Sequence, residues 1–237
     1  MSYSFDQSNQ YSSQHIPVAL LETSRRTRFI MRTYAHLLAA MIGFTLIEVF
    51  LFRSGLAQQI LSIMVELPWL LIIGGFMIVG WMATRVAHQA ASPVVQYLAL
   101  AGFVVAEAVM FLPLLLVAEL NVPGVTQSAG LVTLVGFIGL TGVVFVTRKD
   151  FSFMTSVLMW AGVVALLLII ASLIFGFALG TWFSVAMIAV AGGSILRDTS
   201  RIIRYYPEDR YVAAALELFA SVALLFWYVL RLMSRRR

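Results

Sequence analysis

The sequence predicts an all-α, polytopic membrane protein, a bundle of seven transmembrane helices. Three observations predict it. Hydrophobic residues make up 61% of the 237 and charged residues only 11%, against about 45–50% and 25% in soluble domains. The apolar residues gather into long runs separated by short polar breaks. Those runs are continuous rather than alternating with period two, which argues against a barrel and for helices, whose backbone groups are satisfied locally as hydrocarbon demands.

A crossing needs about 20 mostly apolar residues, because ~1.5 Å of rise per residue must cover a core of roughly 30 Å. Residues 1–24, rich in Ser, Gln, Tyr and Asn, read as a flexible tail, and residues 25–237 as the seven-helix domain. No apolar stretch follows Met1, so a cleavable signal peptide is not expected. The first span is expected over Tyr34–Phe52, the second over Leu67–Thr84, the third over Tyr97–Ala118 and the fourth over Ala129–Thr147. Between Asp150 and Arg197 lie 46 residues without an Asp, Glu, Lys, Arg or His. That is two crossings, broken at Phe175-Gly176-Phe177: a fifth over Met154–Phe175 and a sixth over Leu179–Leu196. Tyr211–Leu232 is the seventh.

Basic residues orient such a chain. With the N-terminus inside, eleven of the sixteen Lys and Arg fall on cytoplasmic segments and five outside, among them the terminal set Arg235, Arg236 and Arg237. The expectation is an N-terminus in the cytoplasm, with the terminal arginines in conflict with it. The formal charge of +5 does not make a nucleic-acid binder, because the basic residues punctuate apolar runs instead of forming a polar basic face.

An ionisable side chain at mid-bilayer costs ~2.5–3.5 kcal/mol or more, so each embedded one needs a reason. His36 and Glu48 sit near opposite ends of the first span and are expected at the interface. Glu107, about ten residues into the third span, has apolar neighbours on every side. It reads either as a proton-binding group facing the bundle interior or as a neutral carboxyl bonding a neighbouring helix. On the seventh span Glu217 and Ser221 lie four apart on one face, and so do Ser194 and Asp198 at the end of the sixth. One polar cluster is expected there, with Asp198 or Glu217 held by Arg197, Arg201 or Arg204. The plain alternative is an interfacial salt bridge worth ~0–1 kcal/mol. Gly192-Gly193 admits a close neighbour, and Thr133, Gly136, Gly139 and Gly142 recur every three residues as a packing stripe. Trp182, Trp227 and Tyr228 are expected as interface anchors.

Catalytic classes find no support. There is no Cys, so thiolate metal sites, disulfides and a Cys nucleophile are absent. No embedded His is placed to serve Ser194 as a base. No second carboxylate motif faces Asp198, there is no His-Glu-x-x-His, and the one Lys, Lys149, lies in a loop where no retinal could be held. A non-enzymatic protein without a cofactor is expected.

Two segments carry a resemblance. The loop after the fourth span reads Thr147-Arg148-Lys149-Asp150-Phe151-Ser152, and the sixth span leaves through Arg197-Asp198-Thr199-Ser200-Arg201-Ile202-Ile203, followed by Tyr211–Phe219. From about Arg25 onward the chain resembles the Bax-inhibitor-1 (transmembrane Bax inhibitor motif) family, and within it the bacterial YccA-like branch. The resemblance implies a seven-helix fold around a polar site on the sixth and seventh helices. Members are described as pH-sensitive calcium leak proteins using one aspartate on each of those helices. Asp198 matches the first; at the second, this sequence has Ser221. The YccA-like branch has the Ser as well, and its resemblance implies a partner, the inner-membrane AAA protease FtsH, for which the N-terminal tail would be an initiation handle. The expected partners are therefore the lipid bilayer and FtsH, with Ca2+ or H+ leak through Asp198, Glu107 and Glu217 as the alternative.

Overall fold

The computed structural model describes residues 17–90 and 92–235. Eight α-helices lie within them: α1 Thr23–Ser54, α2 Leu56–Glu66, α3 Trp69–Gln89, α4 Pro93–Asn121, α5 Val125–Thr147, α6 Met154–Phe175, α7 Thr181–Arg204 and α8 Tyr211–Met233. No strand occurs among the described residues, only an isolated bridge between Pro17 and Pro207. The protein is a polytopic all-α membrane protein.

Seven of these helices, all but α2, are 21–32 residues long, enough at ~1.5 Å per residue to span a bilayer. Six of the seven also carry a continuous apolar stretch. The exception is α7. It was expected to end at Leu196, but its last two turns run on through Arg197, Asp198, Arg201 and Arg204, so composition alone does not mark it as a span. The 11-residue α2 was not expected at all. It arises because Gly55, at φ 79°, ends α1 in the left-handed region, where a residue with a Cβ is strained. Gly176, at φ 72°, ends α6 in the same way, and the expected break falls there.

Position in the bundle follows side-chain size more than hydropathy. In α8, 14 of 23 residues are buried, against two of 22 in α6, although α6 is the more hydropathic of the two. Small residues explain the difference. Ala213, Ala214 and Ala215 are fully buried, and without bulk there the neighbouring helices close in. Thus α8 is the central post, with α1, α3, α4, α5 and α7 around it, while α6 packs outside on α7. The exterior carries large apolar side chains such as Val146, Trp160, Phe175 and Trp182, which suits lipid. Trp227 and Tyr228 correct the expectation of interface anchors. Trp227 packs edge-on against Phe111, and Tyr228 is buried against Phe183.

The glycine stripe of α5 is also corrected. A Cβ at Gly136 would touch Leu225, but at Gly139 and Gly142 it would meet nothing within 4 Å. Close approach belongs to α7 instead, where a Cβ on Gly192 would lie 3.3 Å from Leu140 and one on Gly193 2.9 Å from Met154. Of the stretch read as a tail, residues 1–16 lie outside the described residues. Residues 17–24 are not a free tail. Val18 is fully buried, its N–H donates to the Tyr206 carbonyl at 2.9 Å, and α1 begins at Thr23.

Candidate functional site

The basic ends of α7 and α8 hold the site. Nine of the eleven buried residues of α7 lie from Ala191 onward, so its last turns pack into the bundle on one face, with Arg197, Arg201 and Arg204 half-buried at its edge. Asp198 is only 1% exposed. The adjacent Arg197 donates from Nε and Nη2 to Asp198 Oδ1 at 2.8 and 2.6 Å. Ser221 on α8 donates to Oδ2 at 2.6 Å. A buried carboxylate is tolerable when both oxygens are bonded and its charge is opposed, and here both conditions hold. One helix turn before Ser221, Glu217 is bonded at each oxygen as well. His88 Nε2 on α3 lies 2.7 Å from Oε1, and Arg201 donates to Oε2 at 3.2 Å. Arg201 also stands over the Tyr206 ring, 5.6 Å from its centre, and His88 packs against that ring.

The expected cluster is therefore present for Asp198, Ser221, Glu217 and Arg201. Three of its expected members stand elsewhere. Ser194 is half-buried and makes no side-chain hydrogen bond among the described residues. Arg204 reaches no acid and donates instead to the Arg148 carbonyl. Glu107 is buried in α4, but α8 stands between it and Asp198. Ring contacts of Phe103 with Phe219 and of Phe111 with Phe226 place α4 on one face of α8. Ser221, two residues and about 200° around the helix from Phe219, faces the other way. His88 is the site residue that sequence reasoning missed, while Arg197 is the one of the three candidate arginines that holds Asp198. The second span was expected to end at Thr84, but α3 runs on to Gln89, and the extra helix carries His88 to Glu217.

A second set of ties fastens this end. Asp150, in the connection between α5 and α6, accepts from the Ser152 hydroxyl, the Tyr205 hydroxyl and the Ser152 N–H at 2.9 Å, and from Ser200 at 3.3 Å. Those donors hold its carboxyl well below the usual carboxylate range. Ser200 also accepts from the Phe151 N–H at 3.1 Å. The Arg-Lys-Asp-Phe-Ser loop and the Asp-Thr-Ser turn of α7 are thus one clasp in space.

Glu48 corrects the sequence reading in the opposite direction. Where a solvent-reaching side chain was expected, it is buried at 7% exposure, and neither carboxyl oxygen has a hydrogen-bond partner. His36 does remain at the surface, bonded to the Arg32 carbonyl and, at 3.2 Å, to the Tyr97 hydroxyl.

Fold and site together define a class: an α-helical membrane bundle wound round one small-residue helix, with partnered acids buried at its basic end. The chain belongs to the family described as inhibitor of apoptosis-promoting Bax1, whose model matches residues 26–237. It is also similar to an uncharacterized membrane protein of Vibrio cholerae serotype O1, 34% identical over 114 residues. That match covers 46% of this chain and 49% of the relative, so it spans about half of each.

Proposed function

We propose that this chain is a non-enzymatic, multi-pass protein of a bacterial inner membrane that modulates membrane-protein quality control by binding the AAA protease FtsH. The observation that carries this reading over an ion leak is the closure of Asp198 by Arg197 and Ser221. Two carboxylates sharing a site respond to protons because both cannot ionise together. Here the second position is a hydroxyl donor, and a guanidinium opposes the charge, so the pair that would gate a leak is replaced by a fixed bond between α7 and α8. The non-enzymatic reading is supported by the described histidines, which bond Tyr97 and Glu217 and not a serine. A cytoplasmic N-terminus is supported by the gathering of arginines at one end, where Arg25 meets Glu208 and Arg210 meets the Ala90 carbonyl.

Affinity purification of the full chain from mild detergent tests the proposal. FtsH is expected to co-purify, and overexpression is expected to slow the turnover of its membrane substrates. Absence of the protease together with unchanged turnover overturns it.

One observation favours the second reading, a pH-sensitive calcium or cation leak. Glu217 on α8 ties α3 and α7 together through His88 and Arg201, so one carboxylate couples three helices. Calcium flux into liposomes that rises on acidification and is altered by His88→Gln and Asp198→Asn supports it. Flux indifferent to both, and to Glu107→Gln, removes these residues from any conduction mechanism.

A further inference from the structure

At the end of the bundle away from Asp198, α1, α4, α5 and α8 line a cavity of about 840 Å³, inside the size range of small-molecule sites, roughly 300–1,000 Å³. Its walls are apolar, with Phe44, Leu115, Leu134, Phe219 and Phe226 among them. We propose that this cavity binds a hydrophobic amine, a protonated nitrogen on an apolar body, with Glu48 as its counter-ion.

Glu48 lines the cavity, is more than nine-tenths buried, and has no hydrogen-bond partner for either oxygen. An unmatched buried carboxyl costs free energy, and an ammonium delivered by a ligand supplies both the donor and the opposing charge. Across the cavity the Thr133 hydroxyl is likewise buried without a partner, a second polar contact for the same head group. The other charged side chains on the wall leave Glu48 unmatched. Glu119 is already engaged, accepting from the Gly124 N–H at 2.6 Å and the Thr126 hydroxyl at 2.8 Å, and Arg53 is exposed at the rim. A metal ion is a poor fit. A hard cation takes six to eight oxygens, and no group of three His, Asp or Glu gathers among the described residues.

The architecture also supplies a way in from lipid. α1 and α5 meet near the basic end, where the Tyr34 ring lies 6.4 Å from Phe137 and 6.0 Å from Phe145. Toward the other end they part, and the cavity lies between them with exposed Thr45, Val49 and Leu134 on its lining. An amphiphile partitioned into the membrane reaches Glu48 sideways without crossing water. Gly130 lines the same space, and a Cβ added there meets nothing within 4 Å, so a larger residue fills the cavity without disturbing a packed contact.

The test is photolabelling of the full chain in phosphatidylcholine nanodiscs with a diazirine-bearing dodecylamine, followed by peptide mapping. Label is expected on the cavity-facing residues of α1 and α5. Unlabelled dodecylamine should compete about tenfold better than dodecanol. Glu48→Gln should erase that preference, and Gly130→Leu should lower labelling about tenfold whatever the head group. Repeating the labelling in phosphatidylethanolamine nanodiscs separates sources: protection there identifies the lipid's own amine as the occupant, and unchanged labelling identifies a free amine. Label spread evenly over the lipid-facing helices, or an amine preference unaffected by Glu48→Gln, overturns the proposal.

Discussion

The two ends of this bundle treat buried acid in opposite ways. At the basic end Asp198 and Glu217 have every carboxyl oxygen bonded, by Arg197, Ser221, His88 and Arg201. At the other end Glu48 has neither oxygen bonded and borders open space. Other polar atoms at the basic end, the Tyr206 and Thr199 hydroxyls and Arg204 Nε, do lack partners, so the contrast concerns charge, not polarity at large. A buried charge with its partners in place is a fastening, and removing one partner is what harms the protein. One without partners is a cost that only a ligand or a proton offsets. The same residue type therefore does structural work at one end and is reserved for binding at the other.

That contrast can be broken most visibly at Arg197. Arg197→Ala leaves Asp198 charged, buried and bonded by Ser221 alone, and a loss of about 3–5 kcal/mol is expected, read from unfolding in detergent. A loss under 1 kcal/mol would mean that Asp198 was never ionised. Ser221→Ala removes the donor to Oδ2, and the expected loss is about 1–3 kcal/mol. At the other end the sign reverses. Glu48→Met, which keeps the volume and deletes the unmatched carboxyl, is expected to raise stability by about 1–3 kcal/mol without amine; a loss of that size would reveal a partner for Glu48. The smallest effect belongs to the half-buried clasp at the α5–α6 connection. Because the carboxyl of Asp150 sits below its ordinary range, its contribution is complete above the unfolded value near 3.9 and fades only as pH falls further. Asp150→Asn is therefore expected to cost about 1 kcal/mol or less at pH 7, with proteolysis of the 148–153 loop in the native chain unchanged from pH 8 to about 5.

The crossings were legible because hydrocarbon imposes one length and one composition on each, and Gly176 and the uncharged stretch after Asp150 announced their own boundaries. What stayed hidden were matters of direction around a helix axis. Glu48 and Glu107 look alike in sequence, each an acid among apolar residues, and neither spacing nor hydropathy tells which faces a cavity. The four-residue spacings marked Glu217 with Ser221, and Ser194 with Asp198, as sharing a face; that Ser221 stands opposite Asp198 was implied by the motif resemblance. His88 was not legible, because its approach to Glu217 depends on α3 running to Gln89. The motif resemblance marked the Asp150 loop and the Asp198 turn as notable without saying that Ser200 and Tyr205 tie them together. The centrality of α8 was written in its alanines, a signal that hydropathy hides by scoring α6 higher.

The most direct test is a double-mutant cycle between Arg197→Met and Asp198→Asn, measured by unfolding in nanodiscs. A fastening predicts that the two losses do not add, with a coupling of at least about 1.5 kcal/mol and the double variant more stable than Arg197→Met alone. Additive losses, with no coupling beyond error, would contradict the claim that this end of the bundle is held by a partnered buried charge.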